Sequence, residues 1–264
     1  MIIDGKKIAD ALLANLVTAV QKLSKPPRLV AVLVGHNSNS QKFLEFKKTA
    51  AEKIGMECKI YQFPEDITTQ QLRKEVVALA KAQINDGILI ELPLPSQINT
   101  QYILNAVPEN KDVDVLSQKS QGAFFANRAS ILPPAVMAIK AICETHHIEL
   151  KGKNCVVFGY GLLVGKPISH WLSRQNATVT VINEFTINPA QYSLQGDIII
   201  SGVGKPNLIT ADLVKPGAIV IDFGPDVDYQ AVSPKASLIT PPVGGVGPIV
   251  IASVLKNLVE LKKA

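Results

Sequence analysis

Cys155-Val156-Val157-Phe158-Gly159-Tyr160-Gly161-Leu162-Leu163-Val164-Gly165-Lys166-Pro167 sets a short apolar run, a glycine turn and the opening of a helix end to end. Glycines at 159 and 161 let the backbone turn tightly and approach a pyrophosphate, whose charge is met by the helix N-terminus, while Gly165 allows close helix packing. The spacing G-x-G-x-x-x-G is one residue longer than the common dinucleotide fingerprint, and a tight turn without a ligand is the plainer reading of the motif alone. A second strand after it ends near Asn183-Glu184, about 25 residues beyond the first glycine, where an acid can accept hydrogen bonds from a ribose. Glu184 is otherwise a surface acid.

Working outward, apolar runs alternate with segments of helical period through nearly the whole chain, the pattern of parallel sheets flanked by helices. Before the glycine turn, strands are predicted at Arg28–Val34, 58–61 and 87–92, with helices over 38–54 and 69–82. Leu92-Pro93-Leu94-Pro95 cannot continue a ladder strand, and the chain to about residue 130 reads as polar and irregular. A helix from Pro133-Pro134 to His146 leads into a second series of strands at Asn154–Phe158, 178–181, 197–201 and 218–221. Two such blocks predict an α/β protein of two domains with a cleft between them. A last apolar-periodic segment, 249–261, does not reveal in its pattern which domain it packs on.

The 264 residues are 47% hydrophobic and 19% charged, which excludes a disordered or fibrous chain. The net charge of +5 comes from 27 basic residues scattered among 22 acidic ones, which suits anionic small molecules and gives no nucleic-acid footprint. The densest cluster, Lys47, Lys48 and Lys53, is broken by Glu45 and Glu52. Cys58, Cys143 and Cys155 lie far apart without metal-ligand spacing, so they read as thiols in a reducing compartment, and no metal is expected. Met1-Ile2-Ile3-Asp4-Gly5-Lys6 lacks an apolar core of signal-peptide length, and no window approaches a membrane span. The expectation is a cytoplasmic protein without a membrane partner.

Several segments at predicted strand ends become specific when taken in order. Val34-Gly35-His36-Asn37 with Ser40 and Lys47, Asp86-Gly87-Ile88-Leu89-Ile90-Glu91-Leu92-Pro93-Leu94-Pro95, Lys111-Asp112-Val113-Asp114, the glycine turn, Val203-Gly204-Lys205-Pro206 and Gly244-Gly245-Val246-Gly247-Pro248 resemble the landmarks of the methylenetetrahydrofolate dehydrogenase/cyclohydrolase (FolD) family. The resemblance implies an N-terminal folate-side domain over 1–133, joined by a C-terminal helix at 249–264, and a Rossmann domain over 134–248 that binds NAD or NADP. It also implies a homodimer, a tetrahydrofolate-type substrate and two reactions: hydride transfer from 5,10-methylenetetrahydrofolate to the nicotinamide, then hydrolysis of the methenyl product. Lys47 matches the family's catalytic lysine and Asp114 its pterin-binding aspartate, with Glu91 as the third catalytic position. Phe43, Leu92, Pro93, Gly245 and Pro248 fall on the substrate side. Gly159, Tyr160, Gly161, Leu162, Gly165, Glu184, Val203, Gly204 and Pro242 fall on the cofactor side.

The departures from the family pattern carry physical weight. Phe43 stands for a tyrosine and offers a ring without a hydroxyl. Glu91 stands for a glutamine; a carboxylate facing Lys47 favours the ammonium form and makes a poorer proton acceptor, or the two simply form an ion pair. Val115 stands for the glycine that follows K-D-V-D in the family, and with Ile131-Leu132 and Ile249-Val250 it makes substrate-side positions apolar. Tyr160 stands for a residue that is often arginine, Gly161 for a serine, and Glu184 for a basic or hydroxyl residue. A 2′-phosphate would then lose a cationic partner and face an acid, so NAD is favoured over NADP. Two readings remain open: a methylenetetrahydrofolate dehydrogenase with doubtful cyclohydrolase activity, or a noncatalytic or repurposed paralogue acting as a ligand-binding or interaction protein. His36, His146, His147 and His170 have no partners in sequence that would make them better catalysts than Lys47.

Overall fold

The computed structural model describes residues 1–263, the side chain of Asn39 excepted. The chain divides into two compact units, one of residues 11–134 with the chain after Val250, the other of Met1–Asp10 with Ala135–Val250. The first unit holds most of helix α1 (Gly5–Gln21), then strand β1 (Arg28–Val34), α2 (Ser38–Lys53), β2 (Glu57–Phe63), α3 (Thr69–Lys81), β3 (Gly87–Ile90), α4 (Thr100–Leu104) and α5 (Gln118–Phe125).

Its three strands pair in parallel in the order β2-β1-β3. β1 is central and buried from Leu29 to Val34, which is why it reads as an unbroken apolar run, whereas the edge strand β2 exposes Glu57, Lys59 and Gln62. β3 stops two residues short of the expected 92: Glu91 donates one more backbone bond to Val32 (2.9 Å), and the Leu92-Pro93 peptide that follows is cis. The stretch expected to be irregular contains α4 and α5. Both are short and start at side-chain caps, Asn99 and Ser117, too brief for periodicity to expose.

The second unit runs α6 (Pro134–Thr145), β4 (Asn154–Phe158), α7 (Gly165–Arg174), β5 (Thr178–Ile182), α8 (Pro189–Ser193), β6 (Ile198–Ser201), β7 (Ile219–Asp222), α9 (Tyr229–Val232) and β8 (Leu238–Ile239), and ends in the first turn of α10 (Val246–Lys263). The five strands are all parallel, in the order β5-β4-β6-β7-β8. β8, only two residues long, gives no sequence signal. Its outer edge is covered by the chain start: Ile3 donates to Ile239 (2.8 Å) and Ile239 donates to Met1 (3.1 Å). The first ten residues, expected with the N-terminal block, are therefore tied to this sheet.

The chain leaves β4 toward β5 on one side and returns to β6 on the other. The switch of direction falls between the carboxyl ends of β4 and β6, where open parallel sheets leave a crevice for ligands. In the first unit, Val254, Leu255, Leu258 and Val259 of α10 join Leu29, Ala31, Leu33 and Leu89 in one apolar core. Buried Asn257 donates to the carbonyls of Val113 and Leu132, both at 2.8 Å, and fixes the helix to the segment that carries Asp114. The helix expected at 249–264 thus begins three residues earlier, and Ala264 lies outside the described residues. Among the described residues no helix is long and apolar enough to cross a membrane.

Candidate active site

In the first unit the chemistry gathers at the carboxyl end of the β2-β1-β3 sheet. Leu44, Lys47 and Ala51 repeat at helical spacing on the inner face of α2, so a lysine occupies a position where apolar residues belong. Lys47 is 5% exposed and Glu91, one residue past β3, is 8% exposed. Their side chains meet with Lys47 Nζ 2.8 Å from Glu91 Oε2. One turn before the lysine, Phe43 lays its ring under the same ammonium at 4.6 Å from the ring centre. A charged group on a core face needs such partners, because an uncompensated buried charge is among the costliest features a fold can carry.

Asp114 feels the same pair. Burial pushes its carboxyl up to about 7; the Lys47 ammonium pulls the other way, while Asp112 and Glu91 add to the rise. The side chain keeps part of its surface in contact with solvent. Because the folded value lies above the unfolded one of about 4, Asp114 weakens the fold as pH climbs from about 4 toward 7 and has no such effect below that window. The turn carrying it is built by Asp112, whose buried carboxylate accepts the backbone N–H groups of Leu116 (3.0 Å) and Ser117 (2.8 Å). Val115 closes this turn at φ 59°, a left-handed conformation that a β-branched residue rarely adopts and that glycine would adopt without strain. Leu92 is half-buried and Pro93 exposed just beyond Glu91.

Gly245 and Pro248, expected beside the substrate, belong to the other unit. There Gly5 and Gly245 pack backbone to backbone, so that a side chain at Gly5 would fall on the Gly245 carbonyl.

The second unit's features collect around the switch point. Gly159 turns at φ 85°, and a Cβ on Gly165 would lie 2.2 Å from the Gly159 carbonyl oxygen, so α7 starts in contact with the turn only because residue 165 has no side chain. Gly161 faces open space. A turn of this shape can take a pyrophosphate: Gly165 heads α7, where the Lys166 N–H is given to the Gly161 carbonyl (3.0 Å) and Pro167 has none to offer, and the Lys166 ammonium stands 5.8 Å from the centre of the Tyr160 ring. Leu162 is half-buried in the turn, and Glu184 lies exposed two residues beyond β5. The turn after β6 carries Val203 and Gly204, the latter at φ 81°.

Past β7 and β8 a cavity of about 600 Å³ is lined by Asn207, Asp222, Gly224, Thr240 and Pro242. Burial pushes the Asp222 carboxyl up to about 6, against the pull of the Gly224 and Val227 N–H groups it accepts. Sequence reasoning passed over Lys166, Asp222 and Asp226; an acid closing a strand, as Asp222 does, is the signal that would have drawn attention. A second cavity, of about 500 Å³, holds His146 and His147 at the amino ends of the strands, away from the switch point. Among the described residues no group of three or more His, Cys, Asp or Glu side chains could hold a metal ion.

A doubly wound parallel sheet with a glycine cradle at its switch point, in one chain with a buried lysine–carboxylate pair, defines the class of nicotinamide-nucleotide-dependent α/β enzymes. The sequence matches the tetrahydrofolate dehydrogenase/cyclohydrolase catalytic domain over residues 3–114 and the NAD(P)-binding domain of the same enzymes over 133–264. The chain belongs to the tetrahydrofolate dehydrogenase/cyclohydrolase (FolD) family. It is 38% identical to a bifunctional protein FolD of Staphylococcus aureus, across 99% of this chain and 96% of that one. Among solved structures, the bifunctional FolD of Campylobacter jejuni superposes with a TM-score of 0.95 at 34% identity, covering 100% of this chain and 98% of that one. The FolD of Trypanosoma brucei, solved with NADP and an inhibitor, gives 0.95 at 29% identity, covering 100% and 97%.

Proposed function

We propose that this chain oxidises 5,10-methylenetetrahydrofolate with a nicotinamide cofactor and hydrolyses the methenyl product to 10-formyltetrahydrofolate, with the hydrolysis much the slower step. The observation that carries this reading is the 2.8 Å pair between Lys47 and Glu91. Oxidation moves a hydride off the bridging carbon and leaves a cation, so it asks for negative charge nearby and no proton acceptor. Asp114 in its ionised form is the carboxylate that can supply that charge, since the charge of Glu91 is already offset by Lys47. Hydrolysis adds water to the same carbon and must dispose of a proton. An ammonium held by a carboxylate is a poor acceptor for it. The noncatalytic alternative has no observation in its favour.

When bound, the nicotinamide supplies the hydride acceptor. Gly159, Gly161, Gly165 and Lys166 fit its pyrophosphate. Tyr160, Gly161 and Glu184 support NAD over NADP, because none of these three residues brings a cation for a 2′-phosphate and Glu184 brings an acid. The unit of 11–134 is the folate side and the unit of 135–250 the cofactor side. The free thiols of Cys58, Cys143 and Cys155 suit a reducing, cytoplasmic setting, and a homodimer follows the family.

The test is an absorbance assay of purified protein with methylenetetrahydrofolate and each cofactor, and separately with methenyltetrahydrofolate. No nicotinamide reduction with either cofactor would remove the proposal. Glu91→Gln is expected to speed hydrolysis by about tenfold or more while oxidation changes by only a few fold; a slower or unchanged hydrolysis sinks the role given to the ion pair. Glu184→Arg is expected to raise the NADP-to-NAD ratio of kcat/KM by about tenfold, read from the same assay, and a ratio that stays put would exclude Glu184 from cofactor choice.

A further inference from the structure

The turn at Val203 and Gly204 has no secondary structure of its own to hold it, yet it lies against the glycine cradle. Val203 approaches Gly159 so closely that its Cγ2 would be 3.0 Å from a Cβ built there, and Gly202 leaves no room for a side chain against Val164, the residue that opens α7. What anchors the turn comes from the loop after β7. Asp226 is fully buried, at 0% exposure. Its Oδ2 accepts the Ser201 hydroxyl at 2.6 Å and the Val203 backbone N–H at 2.7 Å. Its Oδ1 is buried without a hydrogen-bond partner. A Cβ on Gly224 would sit 3.4 Å from that Oδ1 and 3.8 Å from the Gly204 Cα, so the loop after β7 is packed on the Val203 turn as well as bonded to it.

Burying a carboxylate with one oxygen unpaired is expensive, and a fold tolerates it where the group has a task. From these contacts we infer that Asp226 is a positioning residue for the nicotinamide cofactor: it holds the Val203–Gly204 turn against the glycine cradle and so sets the shape of the site at the switch point. It touches no substrate and acts through the Val203 amide and the Ser201 hydroxyl. The assignment rests on the proposal that this unit binds the cofactor, and it deepens that proposal by naming what shapes the site.

The test reads binding directly, so that it survives a failure of the proposed reaction. Titration calorimetry of the full chain with NAD is compared for wild type, Asp226→Ala and Asp226→Asn, alongside KM for methylenetetrahydrofolate and the amide exchange of Val203. Asp226→Ala is expected to weaken NAD by about tenfold or more, to speed exchange at Val203, and to leave the folate KM within about twofold. Asp226→Asn retains an oxygen acceptor for Val203 and Ser201, and is expected to restore most of the affinity. Unchanged NAD binding in Asp226→Ala overturns the inference, as does an equal loss for both ligands. If Asp226→Ala does not fold, Ser201→Ala carries the test: it removes one of the two bonds, and NAD should weaken by about threefold, no change being the overturning result. Wild type that binds NAD without turnover would refute the reaction and leave this inference standing; wild type that binds no nicotinamide nucleotide would overturn both.

Discussion

Replacing Lys47 by methionine is expected to lower the unfolding free energy by about 3–5 kcal/mol at pH 8 and to abolish cyclohydrolase turnover. Methionine fills the space of the lysine stem, so the loss is electrostatic: Glu91, 8% exposed, is left as a buried carboxylate with no cation within reach of the 2.8 Å contact it had. Chemical denaturation followed by circular dichroism at pH 8 measures it. The double variant Lys47→Met/Glu91→Met, apolar on both sides, should recover most of the stability and none of the hydrolysis. A single variant within about 1 kcal/mol of wild type at pH 8 would mean the pair is solvated, and the account of slow hydrolysis would fall with it.

Gly165→Ala carries the second large effect, a weakening of NAD binding of about a hundredfold. The added Cβ would stand 2.2 Å from the Gly159 carbonyl oxygen and 2.8 Å from the Tyr160 Cα. Both are backbone atoms that no rotamer can move aside. The start of α7 and the glycine turn must separate, and the site proposed for the pyrophosphate changes shape with them. Gly122→Ala is the control, because a Cβ there meets open space within α5. Calorimetric titration of both variants with NAD decides the matter; binding by Gly165→Ala within threefold of the control would show that the helix and the turn are not in contact.

The parts of the molecule that read directly from sequence share a physical character. β1 and β3 are buried on both faces, so their composition is apolar without alternation, and the glycine turn announces itself because glycine holds φ 85° at 159 without strain and a side chain at 165 would strike the Gly159 carbonyl. Asp226 gave no such signal. Its partners, Ser201 and Val203, lie more than twenty positions away, and an aspartate in a loop looks the same whether it is solvated or fully buried. Val115 marks the converse limit: the resemblance flagged an apolar residue in place of a glycine, and only the backbone shows that this residue sits in a left-handed turn.

By itself, then, the order of apolar runs and turns determined two parallel α/β blocks and a nucleotide-type loop after β4, because periodicity and backbone sterics act over a few residues at a time, while Lys47, Glu91 and Asp114 were singled out by the resemblance to the family. Only the tertiary structure decided that the Lys47 ammonium is closed between Glu91 and the Phe43 ring, that the chain's first three residues complete the edge beyond β8, and that α10 is pinned through Asn257 to the Asp114 segment. Those contacts join residues 44, 236 and 144 positions apart, and they exist because parallel pairing and core burial bring distant segments into register, which no local pattern encodes.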